Sequence, residues 1–303
     1  MKISYVDNAK IDRAKWDRCI DNAENGLIYP YSFYLDAMSN NWDGLILNDY
    51  EMVMPLTWKK KFTIYYLYQP YHTASLGVFG NNISKEIIHF FLKNIPSKFK
   101  YWDFYLNRGN LFSLPDFPMY ERSNYILPLN ESYEILSGRY ASSHARNIKR
   151  SRQSGHVVKK DIPISEVIEL AREQSKNYSS IEQKHFDQVA RLYNYLKEKN
   201  QSITYGVYSS NNKLLASCAY FFSNHRGFYI LVGNHPNGKS SGASHSIIDQ
   251  FIKDHSGKNL ILDFEGSNIP SIAFFYKSFG AQLEKYPGIK LNRLSKIGKL
   301  FKQ

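Results

Sequence analysis

The feature that most limits what this chain can fold into is an order of elements that occurs twice. Each half has β-rich runs separated by tight turns, then a loop, a helical stretch and one more strand. In the first half the runs are GLILN (44–48), EMVMPLTW (51–58) and FTIYYLY (62–68), with Asn48-Asp49-Tyr50 as the turn between the first two. SKEIIHFFLKNI (84–95) carries apolar residues at helical spacing behind Ser84, a good N-cap, and YWDFYLN (101–107) is the closing strand. In the second half the runs are SITYGVYS (202–209), KLLASCAYFFS (213–223) and GFYILVG (227–233), with turns at Asn211-Asn212 and His225-Arg226. Helix SHSIIDQFIKDH (244–255), strand NLILDFE (259–265), helix IPSIAFFYKSFG (269–280) and a strand over 282–292 follow. Tight turns force antiparallel neighbours. The expected class is therefore α/β, in layered α+β form: two tandem domains with mixed, mostly antiparallel sheets flanked by helices. Helices at 11–22 and 31–40 precede the first set of strands. YILPL (125–129), two polar helical stretches and helices at 164–176 and 185–199 precede the second. Segment 108–123, with Pro115 and Pro118, is the expected linker, giving domains 1–123 and 124–303.

Composition narrows the class further. The chain has 303 residues, 43% of them hydrophobic, with 24 tyrosines, enough to bury a sizeable core. Thirty-nine Lys and Arg against 27 Asp and Glu leave a formal charge of +12, which favours anionic partners: nucleic acid, a phosphate-rich donor or an anionic surface. Cys19 and Cys218 lie far apart, without zinc-type or redox spacing, and are expected as buried thiols. The opening residues MKISYVDNAKIDRAKWDRCID contain no secretory apolar run, and no apolar run approaches the ~20 residues of a membrane helix. A cytoplasmic protein without membrane insertion is expected. His235, His245 and His255 recur at intervals that match no metal-ligand spacing, so no metal is expected.

The segment 233–244 can be read in two ways. Gly233-Asn-His-Pro-Asn-Gly238-Lys239-Ser240 satisfies the Walker spacing between a strand and a helix, and LILDFE downstream offers an acid for magnesium. Against a nucleotide P-loop stand the antiparallel hairpin ahead of it and the short remainder of the chain. The alternative takes Lys239, Ser240, Ser241, Gly242, Ala243 and Ser244 as a phosphate-gripping turn. There small residues let backbone N–H groups approach a pyrophosphate at a helix N-terminus.

That second pattern resembles the acyl-CoA loop of GNAT acetyltransferases, with Lys239 in place of their Gln or Arg and Ser244 as the last small residue. LDFEGSNIPSIAFFYKSFGA (262–281) resembles the "DFeGS … fyksFGa" ending of bacterial FemAB-like, double-GNAT transferases. RYASSHARNIKRSRQSG (139–155) resembles the basic helix that opens their second half. The resemblance covers most of 130–292 and, more weakly, 1–107. It implies two tandem GNAT-like domains, the first degenerate and the second a transferase moving an acyl or aminoacyl group onto an amine. The donor it implies is acyl-CoA such as acetyl-CoA, or aminoacyl-tRNA in the peptidoglycan branch; the acceptor is a small-molecule or peptide amine.

Such chemistry needs a base for the amine and an acid for the leaving group. Asp263 and Glu265, two apart on a strand, would share a face, and Glu265, nearer the strand's end, is the stronger candidate base. Capping of the next turn is the competing role. Tyr276 matches the tyrosine that protonates the leaving group in many GNAT enzymes, with core packing as its alternative. Ser267 and Asn268 are candidates for substrate binding or for capping the following helix. Arg146 and Arg150, with Lys149 and Arg152, put positive charge on one helical face, for an anionic substrate, tRNA, or solvent alone. Four functions stay open: an acyl-CoA N-acyltransferase, an aminoacyl-tRNA-dependent transferase, a P-loop nucleotide-binding protein, and a non-catalytic scaffold.

Overall fold

The computed structural model describes residues 1–176 and 181–294, with the side chain of Lys239 also outside the described part. Among the described residues the chain folds as two compact units, 1–123 with 285–294 and 124–284. In chain order the first part contains β1 (Ile3–Val6), α1 (Arg13–Asp21), α2 (Ser32–Met38), β2 (Trp42–Leu47), β3 (Met52–Lys61), β4 (Ile64–Tyr68), β5 (Phe79–Gly80), α3 (Lys85–Lys93) and β6 (Phe99–Tyr105). Strand β7 (Met119–Pro128) leads into α4 (Tyr133–Gly138), α5 (Ser142–Gln153), β8 (Val157–Lys160), α6 (Ile164–Ser175), α7 (Gln183–Lys197), β9 (Ser202–Tyr208), β10 (Leu214–Ser223) and β11 (Arg226–Asn234). The chain continues through α8 (Pro236–Ser241), α9 (Ala243–His255), β12 (Ile261–Asp263), α10 (Pro270–Lys277) and β13 (Gln282–Asn292).

The first unit is a sheet β1-β2-β3-β4-β6 extended by the second half of β13, antiparallel except for β4 beside β6. Helix α3 starts as expected, Ser84 Oγ accepting from Ile87 N–H, and buries Ile88, Phe91 and Leu92 against Phe99 and Trp102. The second domain was expected to run over 124–303, but residues 285–292 lie with the first unit. The reason is register: Gly288–Asn292 pair with Tyr101–Tyr105 of β6.

The second unit repeats the plan. Its strands run β12-β11-β10-β9-β8, with the end of β7 paired to β12. Strand β8 had no counterpart in the sequence reading, because four residues with two lysines carry little strand signal. Asn224 and His225, both with positive φ (47° and 56°), form the two-residue turn between β10 and β11, so Arg226 is the first strand residue rather than part of the turn. One face of this sheet takes α6, whose backbone comes so close that a Cβ on Gly233 would lie 2.7 Å from Ala171 N. The other face takes α9, Phe251 stacking on Tyr220 with centroids 3.8 Å apart. Both cysteines are buried as free thiols, and burial pushes Cys19 up to about 11. Among the described residues no helix is long and apolar enough to cross a membrane.

Candidate active site

Strands β11 and β12 are parallel, so a helical crossover, here α8 and α9, must join them. They pair over only three residues, Arg226–Phe228 against Ile261–Asp263, while β11 continues to Asn234. Among the described residues the edge of β11 from Tyr229 onward has no strand partner on that side, and at its end Asn234 N–H donates to Gln174 Oε1 at 2.6 Å. At ~3.3 Å per residue the open backbone edge is roughly 17 Å long. The chain leaves β12 by way of Phe264, whose N–H donates to Tyr125 O at 3.0 Å, then Glu265 and Gly266 in the left-handed region (φ 60° and 87°).

Aromatic rings line the near end of this opening. Phe264 stands edge-on to Tyr229 at 6.2 Å and stacks on Tyr276 at 4.4 Å, and Tyr125 lies 6.3 Å from Tyr276. Tyr276 is half-buried on α10. Burial raises its phenol well above the usual tyrosine value, and the nearby Glu265 charge raises it further. The phenol therefore stays protonated around neutral pH and can give a proton only as a strong base develops beside it. Glu265 is likewise half-buried and directly follows Phe264, the ring that stacks on Tyr276.

Asp263 has a different setting from the one expected. Strand β12 ends at Asp263, and Glu265 turns away in a left-handed conformation, so the two carboxylates do not share a strand face. Asp263 is buried, takes a hydrogen bond from Arg226 Nη1 at 2.7 Å and another from Asn124 Nδ2 at 2.9 Å, and accepts from Glu265 N–H at 2.9 Å. Arg226, only 3% exposed, turns its other side to Glu284 with contacts of 2.7 and 2.9 Å. Burial alone would lower the pKa of Arg226, but the two carboxylates outweigh it and keep the guanidinium charged. A carboxylate committed to a buried cation is a poor general base. Nothing local marks this cluster in the sequence, since its members sit on four different strands.

The loop expected over 234–243 is a short helix. His235 Nδ1 accepts from Asn237 N–H at 3.1 Å as the N-cap, Pro236 opens α8, and Gly242 at φ 83° ends it. Gly238 is needed because a Cβ there would lie 2.2 Å from Leu215 O on β10. Lys239 lies on α8 by its backbone, and its side chain is outside the described residues. Ser240 and Ser241 donate back into α8, to Asn237 O and Gly238 O at 3.1 and 3.4 Å. Ser244 Oγ donates to Asn234 Oδ1, Ala243 is fully buried, and a Cβ on Gly242 would lie 2.2 Å from Asn147 O of α5. Gly242 thus packs its Cα against the α5 backbone, which leaves no room for a larger residue there. The Walker reading fails here too: helix α8 begins at Pro236, inside the stretch that would have to be the phosphate-cradling loop, and β10 and β11 are antiparallel, although Lys239 and Ser240 lie on a helix rather than ahead of one.

Helix α5 holds the other basic candidates. Arg146 and Lys149 are exposed, and Arg150 Nη1 donates to Ser240 O at 3.2 Å, so positive charge gathers beside the α8–α9 turn. Beneath it His144 and His245 meet edge-to-face at 4.4 Å, a pair the sequence reading missed because α5 and α9 are far apart in the chain. Burial lowers both imidazoles, His245 to about 4. Ser267 Oγ accepts from Ile269 N–H at 3.0 Å, which shapes the entry to α10, and Asn268 beside it is exposed. Among the described residues no three His, Cys, Asp or Glu side chains gather as a metal-binding group.

No family model and no curated protein matches this sequence. Solved structures do match the fold. FemX superimposes with a TM-score of 0.69 at 12% identity, covering 100% of both chains. A protein of unknown function from Bacteroides thetaiotaomicron gives 0.62 at 16% identity, over 95% of this chain and 99% of that one. The C-terminal domain of a putative lysylphosphatidylglycerol synthetase from Agrobacterium fabrum gives 0.58 at 9% identity, over 97% and 95%. The chain thus shares the overall fold of FemX, in line with the fold that the 262–281 resemblance implied.

Proposed function

We propose that the second unit is a GNAT-type transferase that moves an aminoacyl or acyl group from an activated ester or thioester to an amine. The observation that carries this reading is the placing of Glu265 directly after Phe264, whose ring stacks on the half-buried Tyr276 and stands edge-on to Tyr229 of β11. The amine nitrogen attacks the donor's carbonyl carbon while its proton passes to the Glu265 carboxylate. As the bond from that carbon to the leaving oxygen or sulfur breaks, the leaving atom takes the proton of the Tyr276 phenol. The stretch of β11 from Tyr229 to Gly233, without a strand partner on that side, can align an extended donor as an added strand would.

Between the two donors, aminoacyl-tRNA is the better supported. Arg146 and Lys149, both exposed, and Arg150, which reaches Ser240 O, put positive charge on α5 beside the α8–α9 turn, where a tRNA phosphate backbone can be held. Acyl-CoA, including acetyl-CoA, is the second reading, favoured by the N-terminus of α9 behind Gly242. The acceptor would be a small-molecule or peptide amine.

Thermal melting with aminoacylated bulk tRNA, acetyl-CoA and Mg-ATP in parallel tests both. A ligand at ~100 times its Kd adds about 2.7 kcal/mol. Stabilisation by charged tRNA, reduced by charge reversal at Arg146 and Arg150, supports the first donor. Stabilisation by acetyl-CoA alone moves the assignment to acyl-CoA. No response to either, with Mg-ATP stabilising instead, overturns the transferase reading.

A further inference from the structure

We infer that Arg226 and Asp263 are positioning residues that fix Glu265 against Tyr276, an inference that rests on the transferase reading for its chemical meaning but not for its geometry. Glu265 is a non-glycine residue at φ 60°, followed by Gly266 at 87°, a backbone path that a glutamate does not favour on its own. Within the turn, Glu265 N–H donates to Asp263 Oδ1 at 2.9 Å, an aspartate bonding the backbone two residues on. That oxygen also takes Asn124 Nδ2, and the other oxygen of Asp263 takes Arg226 Nη1 at 2.7 Å. Arg226 is in turn held from its far side by Glu284. Asp263 therefore cannot rotate without leaving a buried guanidinium short of a partner, and the turn at Glu265 is set by the cluster at the fork of β11 and β12.

Two roles can be separated within the cluster. Glu284 and Arg226 join strands; Asp263 alone also bonds the backbone of Glu265. A substitution at Glu284 should loosen the sheet while leaving the Glu265 turn in place, whereas one at Asp263 should release the turn. An asparagine at 263 has a single acceptor oxygen and cannot serve both Arg226 and Glu265 N–H.

The test follows the environment of residue 276 directly. A polyfluorinated tyrosine is placed at position 276, where its more acidic phenol titrates within the stable pH range, and its fluorine resonance is recorded against pH in the full chain. Glu265→Gln should lower the titration midpoint by removing the neighbouring charge. Asp263→Asn should lower it by a similar amount, because Glu265 is no longer held beside the ring. Glu284→Gln should lower the melting temperature but leave the midpoint where it was. If Asp263→Asn does not fold, Arg226→Lys keeps a buried cation without the two-sided fork and should give a smaller drop of the same sign. An unchanged midpoint in Asp263→Asn, or equal drops in Asp263→Asn and Glu284→Gln, overturns the inference. The readout uses no donor or acceptor, so it succeeds or fails separately from the transferase assignment.

Discussion

The two units share one plan and differ in what happens beyond the parallel strand pair. In the first, β4 pairs with β6 over Tyr65–Tyr68, and the chain then folds back into the space that follows. Gln69 Oε1 accepts from Tyr105 N–H at 2.9 Å, Gln69 Nε2 donates to Thr73 O at 2.7 Å, and Leu76 resumes parallel bridging with Leu106. Asn107 donates to the carbonyls of Leu76 and Val78, and Asn110 sits so close to Gly77 that a Cβ there would lie 2.3 Å from its amide oxygen. In the second unit the chain leaves β11 as α8 and α9, and the corresponding edge stays open beside Tyr276 and Glu265. One architecture thus serves as a filled scaffold in the first half and as a candidate site in the second. The difference lies in side chains that satisfy, or leave exposed, the same kind of backbone edge.

That contrast breaks most sharply at the proposed base. Glu265→Gln should cut transfer about 10²–10⁴-fold, with Tyr276→Phe also lowering turnover, in an assay with charged tRNA and an amine acceptor. Normal turnover in Glu265→Gln would return the second unit to scaffold status beside the first. Arg226→Met strands Asp263 and Glu284 without their buried cation and should cost about 3–5 kcal/mol in urea unfolding. On the filled side, Gln69→Ala leaves the Tyr105 N–H without its partner. A loss of about 1–3 kcal/mol is expected in melting, with transfer per folded molecule unchanged. A fall in turnover matching that of Glu265→Gln would mean that the first unit also takes part in the chemistry.

The smallest effect concerns acid. Burial holds His245 down to about 4 and lowers His144, both in the second unit, against an ordinary value near 6.5. Because the folded values lie below the unfolded ones, the unfolded chain binds more protons in this window. The stability is complete above about pH 6.5 and is lost as pH falls toward 4. Melting at pH 7 and pH 4.5 should differ by about 1–3 kcal/mol from this pair, and His245→Phe should flatten the difference.

Much of the fold is legible in the chain because its signals are local. Ser84 caps α3 as its type and position require, the tight turns fix antiparallel neighbours, and β13 spans 282–292 as read. The 262–281 resemblance offered Glu265 and Tyr276 as candidates, although the stacking of Phe264 on Tyr276 beside Glu265 was not legible. The α8 segment misled because Gly, Ser and Lys suggest an open loop. The docking of Gly238 on Leu215 O and of Gly242 on Asn147 O, both long-range contacts, makes the helix possible.

By itself, then, the sequence determined the duplicated strand–helix order, the class of fold and the residue types offered at the second unit's site. Those properties follow from periodicity, caps and turn chemistry acting over a few residues. Only the tertiary structure decided that Asp263 serves Arg226, that the residue before Glu265 stacks on Tyr276, and that one parallel fork is filled while the other lacks a strand partner. Each of those depends on burial and on partners far apart in the chain, where the cost of an unpaired charge or backbone group sets the outcome.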